Sequence, residues 1–484
     1  MLTYTFEERG EKPYYQYLYE VLKEDIEEGR LKEGEHLPSK RAFAKQLGLS
    51  VMTIASAYEQ LLVEGYIYAV EKKGYYVAAV QPYLTEPLQE DPAVKIFIEG
   101  DDASHEETKA NWRMDFASNH VDRERFPMST WSHLMRAVLS GQSKDVLLPS
   151  PPQGVYELRQ AIADHLYHFR GMRILPEQIV IGAGTEYLYH LLIQLLGRDH
   201  VYGIENPGYQ KLAKIYAHNG VDYRYVDLDA HGLSMESLRK QKVEIIHTSP
   251  THHFPTGIAM PISRRQKLLA WAAEKEGRYI IEDDYDCEFR FGGLPIPTLQ
   301  SIDGAGRVIY LNTFSKSLTP SIRISYMVLP RTLVGKFQEN LGFYACTVSN
   351  FEQYTLAAFL QQGYFEKHIN RMRNFYKNHR NQVIAKLKES RLWQMASIYE
   401  EDAGLHFLLH IDTQKEDSVI KDQLQQRGIR LRGMSDYTYD GSQVIPHTFI
   451  INYTAIDPQD LPEVLEEIYQ AVSYTHLTLP TTYS

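Results

Sequence analysis

Two stretches decide how this chain folds: Ile280-Ile281-Glu282-Asp283-Asp284-Tyr285 and, about thirty residues on, Thr313-Phe314-Ser315-Lys316, with Arg323 seven residues after the lysine. Each follows a short β-branched or aromatic run, Tyr279-Ile280-Ile281 in the first case and Val308-Ile309-Tyr310-Leu311 in the second. Similar runs recur upstream at Val180-Ile181, Val201-Tyr202-Gly203-Ile204 and Ile245-Ile246-His247, separated by amphipathic segments. That alternation begins after Trp112 and is the pattern of an α/β fold, a mostly parallel sheet flanked by helices. The sequence shows no internal repeat.

The polar residues set into this frame suit one kind of chemistry. A lysine amine attacks an aldehyde only when uncharged, so Lys316 needs surroundings that depress its pKa. An aldehyde cofactor of the pyridoxal 5'-phosphate type also needs a carboxylate at its pyridine nitrogen, because the protonated ring is the electron sink. Asp283, at the end of an apolar strand, is the candidate. Tyr285 is suited to hydrogen-bond the ring's phenolic oxygen, and Tyr209, in Asn206-Pro207-Gly208-Tyr209, to stack on the ring. A phosphate wants backbone N–H groups at a helix start and a fixed cation. Gly182-Ala183-Gly184-Thr185 opening a helix, Arg323, and the hydroxyls of Thr313 and Ser315 supply both. A lone Ser-Lys, an Asp after a strand or a Gly-x-Gly carries little by itself; their order and spacing carry the reading. No metal site is expected.

The N-terminal region reads differently. In Leu37-Pro38-Ser39-Lys40-Arg41-Ala42-Phe43-Ala44-Lys45-Gln46-Leu47-Gly48-Leu49-Ser50-Val51-Met52-Thr53-Ile54, Ser39 caps a short helix and Gly48 ends it. Ser50 then caps a second helix running to about Glu64. This is a tight helix-turn-helix, with Ala42, Leu47, Leu49, Ile54, Tyr58 and Leu61 expected in its core. Met52, Thr53 and Ser56 are left near the turn that enters a major groove. Tyr66 to Val77 reads as a hairpin wing whose tip carries Lys72 and Lys73. Residues 1–80 hold ten Lys and Arg against thirteen Asp and Glu, so the region as a whole is not basic. Its acids crowd the first helix, however, while Ser39, Lys40, Arg41, Ser50, Met52, Thr53, Lys72 and Lys73 stand where double-stranded DNA is expected.

Composition bounds the rest. A formal charge of -11 excludes a surface wholly committed to nucleic acid, so DNA contact must be local. Cys287 and Cys346 are too few for a disulfide framework and suit small buried positions in a reducing compartment. No apolar run reaches the roughly 18 residues of a membrane span, and no secretory pattern opens the chain, so a cytoplasmic protein is expected. The domains read as 12–80, a winged helix-turn-helix, and 112–471, the α/β unit, joined by an acidic linker over 81–111 in which Pro82, Pro87 and Pro92 are spaced. Residues 472–484 stand apart: Val472-Ser473-Tyr474-Thr475-His476-Leu477 back-translates to a transposase adaptor used in sequencing libraries, so this tail is expected to be a read-through artefact or a disordered end.

The first region resembles the GntR-type winged helix-turn-helix through its Leu-Pro-Ser-Lys-Arg opening and its Leu61-Leu62-Val63-Glu64-Gly65-Tyr66 close, with Val51 where that family usually has arginine. From Trp112 to about Ala471 the chain resembles fold-type I aminotransferases, through Pro151-Pro152-Gln153-Gly154, Gly182 to Thr185, Pro207-Gly208-Tyr209, His252 to Gly257, Ile281 to Asp286 and Thr313 to Leu318. The fusion resembles the MocR/GabR family of regulators. The resemblance implies Lys316 as the Schiff-base lysine, Asp283 as pyridinium partner, Tyr285 as phenolate partner, Arg323 as phosphate ligand and Tyr209 as stacking ring. Phe254 replaces the usual cofactor-binding asparagine of aminotransferases, as is typical of these regulators.

The expected function is therefore a homodimeric transcriptional regulator that reads repeated half-sites and senses a small amine or amino acid through pyridoxal phosphate. The rivals are a working aminotransferase with a DNA-binding appendage and a scaffold with a vestigial site. Effector contacts are expected from Lys211, Asp436 and Arg430. In the branch of the family that senses γ-aminobutyrate, arginines stand where this chain has Lys211 and Asp436. An aspartate disfavours a ligand carboxylate and suits a cationic or hydroxylated group. Alternatively, Asp436 faces solvent and pairs with Arg430 or Arg432.

Overall fold

The computed structural model of the chain describes Tyr4, Phe6 and residues 9–80, 112–118, 125–141, 144–292, 296–402, 404–439 and 445–473, in two compact units, Met1–Ala110 and Asn111–Ser484. The acidic linker and the tail beyond Ser473 lie outside the described residues.

Two serine caps and one left-handed glycine shape the first unit. Ser39 Oγ accepts from the backbone N–H of Ala42 at 3.2 Å and starts the helix Lys40–Leu47, which ends at Gly48 with φ 68°. Ser50 Oγ accepts from the N–H of Thr53 at 3.0 Å and starts the helix Val51–Val63. Together with the helix Tyr14–Glu27 these bury Leu18, Leu22, Phe43, Ile54, Tyr58 and Leu61. Ala42, expected in that core, is exposed. Counting back three and four residues from half-buried Leu47 lands on Ala44 and Phe43, which take its place. The wing is an antiparallel pair, Ile67–Val70 and Gly74–Val77, turned through Lys72 at φ 60°. A third short strand, His36–Leu37, pairs with Gly74–Val77.

The second unit is built on an eight-stranded sheet in the order Ile179–Ala183, Ile324–Val328, Val308–Thr313, Tyr279–Asp283, Ile245–Thr248, Tyr202–Asn206, Tyr223–Asp229, Gly232–Leu233. The four strands from Val308–Thr313 to Tyr202–Asn206 run parallel to one another, and Ile324–Val328 runs antiparallel to both of its neighbours. All five β-branched runs are strands. The continuous-run criterion does not find Tyr223–Asp229, because alternating polar and apolar residues leave it half-buried near the edge. Helices such as Thr185–Leu196 pack on the sheet, with His190 and Gln194, one turn apart, outside its buried set. A smaller antiparallel sheet, Ala396–Tyr399, His406–Ile411, Thr448–Asn452 and Arg432–Gly433, shares a core with the helices Tyr364–Glu389 and Leu461–Val472.

The C-terminal boundary expected at Ala471 falls slightly short. Val472 is 1% exposed and its carbonyl accepts from Thr413 Oγ1 at 2.8 Å, so the fold includes this residue. No helix among the described residues is long and apolar enough to cross a membrane.

Just past the carboxyl end of strand Tyr279–Asp283 lies a buried ion pair, Arg170 with Asp284. Arg170 Nη1 also donates to the carbonyl of Ile296 at 2.6 Å, and the Tyr310 hydroxyl donates to Asp284 at 2.9 Å. Removing one partner strands the other charge in a dry interior. Arg170→Ala should therefore destabilise the second unit by about 3–5 kcal/mol. Chemical denaturation followed separately for the two units checks this, with the winged-helix transition expected to stay where it is.

Candidate functional site

The carboxyl ends of the parallel strands open into a cavity of about 470 Å3. Strand Tyr279–Asp283 delivers Asp283 and Tyr285 to it, and strand Val308–Thr313 delivers Ser315 and Lys316. Tyr209 follows strand Tyr202–Asn206, and Gly184 and Thr185 follow strand Ile179–Ala183. Arg323 precedes the antiparallel strand and so meets the same edge. All nine residues expected to hold a cofactor line this one cavity.

Asp283 sits at its base. Oδ2 accepts from the Tyr189 hydroxyl at 2.5 Å and lies 3.4 Å from His247 Nε2, whose Nδ1 is 3.0 Å from the Tyr216 hydroxyl. Oδ1 is buried and has no partner among the described residues. A buried carboxylate oxygen without a donor is costly, and this one borders the cavity. Nearby, burial lowers the pKa of Lys316, opposed only in part by the charge of Asp286. That is the condition for a nucleophilic amine.

At the opposite end Gly184 has φ 93°, and a Cβ there would lie 2.3 Å from Arg323 Nη2. Arg323 itself is held at φ 50°. The guanidinium thus lies against the first turn of Thr185–Leu196, where backbone N–H groups and the helix dipole favour an anion. Glu186, in that same turn, receives Lys211 and lies 3.4 Å from Arg323 Nη2. Ser315 Oγ is buried without a partner among the described residues. Thr313 Oγ1 is engaged differently: it accepts from Ser325 Oγ at 2.8 Å and from the Ser315 N–H at 3.1 Å, fixing the turn that carries Lys316.

The expected effector residues are not brought together. Lys211 belongs to the Glu186 cluster. Arg430 lies 3.7 Å from Asp115 and over the Trp112 ring. Asp436 accepts from Lys421 Nζ at 2.5 Å and from the Gly433 N–H at 2.8 Å, so both its oxygens are occupied away from the cavity lining. Its pairing with Arg430 or Arg432 is likewise replaced by Lys421, supplied by the helix Asp417–Gln425.

Several lining residues had no place in the sequence reading. Tyr189 was accessible to it, one helical turn after Thr185, and so was His247, closing an apolar strand beside that of Asp283. Glu186 and Asn452 had no local signal, and the contact between His252 and Asp286, each within a quoted motif, joins residues distant in the chain. Asn452 Nδ2 donates to the carbonyls of Phe116 and Ala117 at 2.8 and 3.1 Å, leaving Oδ1 buried at the cavity. Phe254 packs edge-on against Tyr437 and His406.

On the winged helix, Lys72 and Lys73 are exposed at the wing tip, Arg41 is exposed, and Lys40 Nζ lies 5.3 Å over the Tyr75 ring. The hydroxyls of Ser39, Ser50 and Thr53 serve the helix caps. Exposed at the leading turn are Val51 and Met52, the latter 75% accessible.

Comparison with known proteins agrees with this division. Residues 113–468 match the aminotransferase class I and II family and residues 14–77 the gntR family of bacterial regulatory proteins. The HTH-type transcriptional regulator YdeL of Bacillus subtilis, itself uncharacterized, is 37% identical over 87% of this chain and 89% of its own length. The probable rhizopine catabolism regulatory protein MocR of Rhizobium meliloti is 29% identical over 95% of this chain and 94% of its own. The pyridoxine biosynthesis regulator PdxR of Corynebacterium glutamicum is 29% identical over 94% and 95%. Among solved structures, the multiple substrate aminotransferase of Thermococcus profundus superposes with a TM-score of 0.67 at 23% identity, over 77% of this chain and 94% of that one. A GntR-type winged helix joined to an aminotransferase class I and II domain places this chain in the MocR/GabR family of transcriptional regulators.

Proposed function

We propose that this regulator senses a small amino compound through pyridoxal 5'-phosphate anchored on Lys316. The observation that carries the reading is Asp283 Oδ1, a buried acceptor without a donor, bordering the same cavity as a desolvated lysine. The residues fit the cofactor. Asp283 receives the ring N–H, Tyr285 donates to the phenolic oxygen and Tyr209 covers the ring face. Arg323, Ser315, Thr185 and the helix start at Gly184 hold the phosphate. Bound there, the cofactor supplies an electrophilic carbon to which an incoming amine adds. Lys316 would hold the cofactor covalently and, once free, would accept a proton, in a pocket where burial lowers the pKa of its amine. Asn452 Oδ1 offers an acceptor to the effector.

The same proposal includes a homodimer reading repeated half-sites, in the cytoplasm with the DNA. Exposed Leu139, Leu147, Leu148 and Phe343 give the aminotransferase-like unit apolar surface that a second copy would cover.

Three outcomes are expected. Lys316→Ala removes the visible absorbance and the effector response while the winged helix stays folded, checked by absorbance and circular dichroism; a yellow, borohydride-reducible variant refutes the anchor. Glu186→Gln frees Arg323 and Lys211 from a competing carboxylate and tightens cofactor binding by about fivefold to tenfold, checked by titration, because a like charge beside a phosphate disfavours it. Replacing Lys40, Arg41, Lys72 or Lys73 by alanine weakens operator binding across sequences and reduces the salt slope by about one per residue, checked by binding isotherms at several salt concentrations.

A further inference from the structure

Tyr285 does not stand alone at the cavity wall. Its hydroxyl lies 3.3 Å from Nδ1 of His252, and that nitrogen is 2.8 Å from Asp286 Oδ2. His252 and Asp286 are both buried. An ionised carboxylate can only accept, so Nδ1 carries the hydrogen and directs it at Asp286, with the Tyr285 oxygen as second acceptor. A phenol oxygen that accepts from behind is fixed in place, with its own O–H shared between the Asp286 carboxylate and the cavity side.

The fold is shaped to admit this imidazole. Gly404, arriving from the smaller lobe at φ 74°, leaves no room for a side chain: a Cβ there would lie 1.9 Å from His252 Cε1 and 2.6 Å from Nδ1. The Gly404 backbone is fixed on both sides, its N–H donating to Phe289 O at 2.9 Å and its carbonyl accepting from the Tyr453 hydroxyl at 2.7 Å. The His406 ring stands 5.0 Å from His252. Nε2 of His252 is buried without a partner among the described residues, and the residue lines a cavity of about 10 Å3 with Thr251, Arg170 and Arg290, room for a single water. At the asparagine position, two residues along the chain, Phe254 offers no hydrogen bond.

We propose that His252, paired with Asp286, is a positioning residue that holds the Tyr285 phenol for the cofactor's phenolic oxygen, in place of the asparagine contact this chain lacks. The inference rests on the cofactor reading above. Charge supports it. Burial works against a protonated His252, but Asp286, with Glu400 and Asp284 beyond it, outweighs that cost and raises the imidazole pKa. His406, by contrast, is pushed down to about 3 by burial and by His252, and stays neutral. The charges facing His252 are thus Asp286 and Asp284 from its neighbouring strand end, Glu400 from the smaller lobe, and Arg170 and Arg290 across the small cavity. A donor behind Tyr285, among carboxylates that favour the charged imidazole, would stabilise negative charge on the cofactor's phenolic oxygen and so weaken proton binding at the nitrogen held by Lys316.

The test is the pH midpoint of the visible band in the cofactor-loaded full-length protein. His252→Phe keeps the ring and removes the hydrogen bond and charge; the midpoint should rise by about one pH unit, a tenfold gain in proton affinity. His252→Asn restores a polar atom near the Nδ1 position and should recover part of that shift. An unchanged midpoint in His252→Phe, with a raised one in Tyr285→Phe, overturns the proposal. A second measurement needs no cofactor: in labelled full-length protein Asp286→Asn should lower the His252 titration midpoint by at least one unit, and Tyr285→Phe should displace its resonance. Indifference of the His252 signal to both changes overturns it equally. A wild-type protein that never develops a visible band refutes the cofactor reading instead, and leaves the second measurement to judge the His252–Asp286–Tyr285 contact.

Discussion

A carboxylate with one oxygen left over governs the larger unit. Tyr189 and His247 hold one side of Asp283 rigidly, and each is placed by a different element, the helix Thr185–Leu196 and the strand Ile245–Thr248. The remaining oxygen is buried in a residue that lines the cavity, and leaving it without a donor costs on the order of 1–3 kcal/mol. A site built at that cost is organised around a ligand that donates a hydrogen there. Lys316, Tyr285 and Arg323 then fall at distances set by the sheet, because each lies at or beside the end of a strand in one continuous register.

What could be read from sequence is what backbone chemistry enforces locally. Ser39, Gly48 and Ser50 announce helix ends because cap geometry admits few residue types. Gly184 and Arg323 were legible as a helix start and a cation suited to a phosphate; that one has to be bare for the other to approach is visible only in the fold. The β-branched runs identified the buried parallel strands but not Tyr223–Asp229, whose mixed pattern reflects partial burial rather than a weaker strand.

The remainder depends on partners distant in the chain. Nothing adjacent to Asp436 predicts that Lys421 reaches it, and the motif comparison that assigned Asp436 to the effector carried no information about side-chain direction. Glu186 looked like an ordinary acid in a first helical turn until Arg323 and Lys211 converged on it. Ala42 illustrates a smaller error, of phase: on an eight-residue helix one position decides which face is buried.

Glu186 also gives the pocket a counter-ion of its own. An anion entering beside Arg323 and Lys211 exchanges with a tethered carboxylate, and few free salt ions change hands. DNA binding by the winged helix works the other way, releasing condensed ions from the phosphate backbone and weakening steeply as salt rises. On the proposed reading one polypeptide carries two anion-binding faces, one sensitive to salt and one nearly indifferent to it. On that reading, a shift in ionic strength alters how tightly DNA is held while leaving occupancy of the pocket nearly constant, so salt and ligand act on the regulator through separate channels.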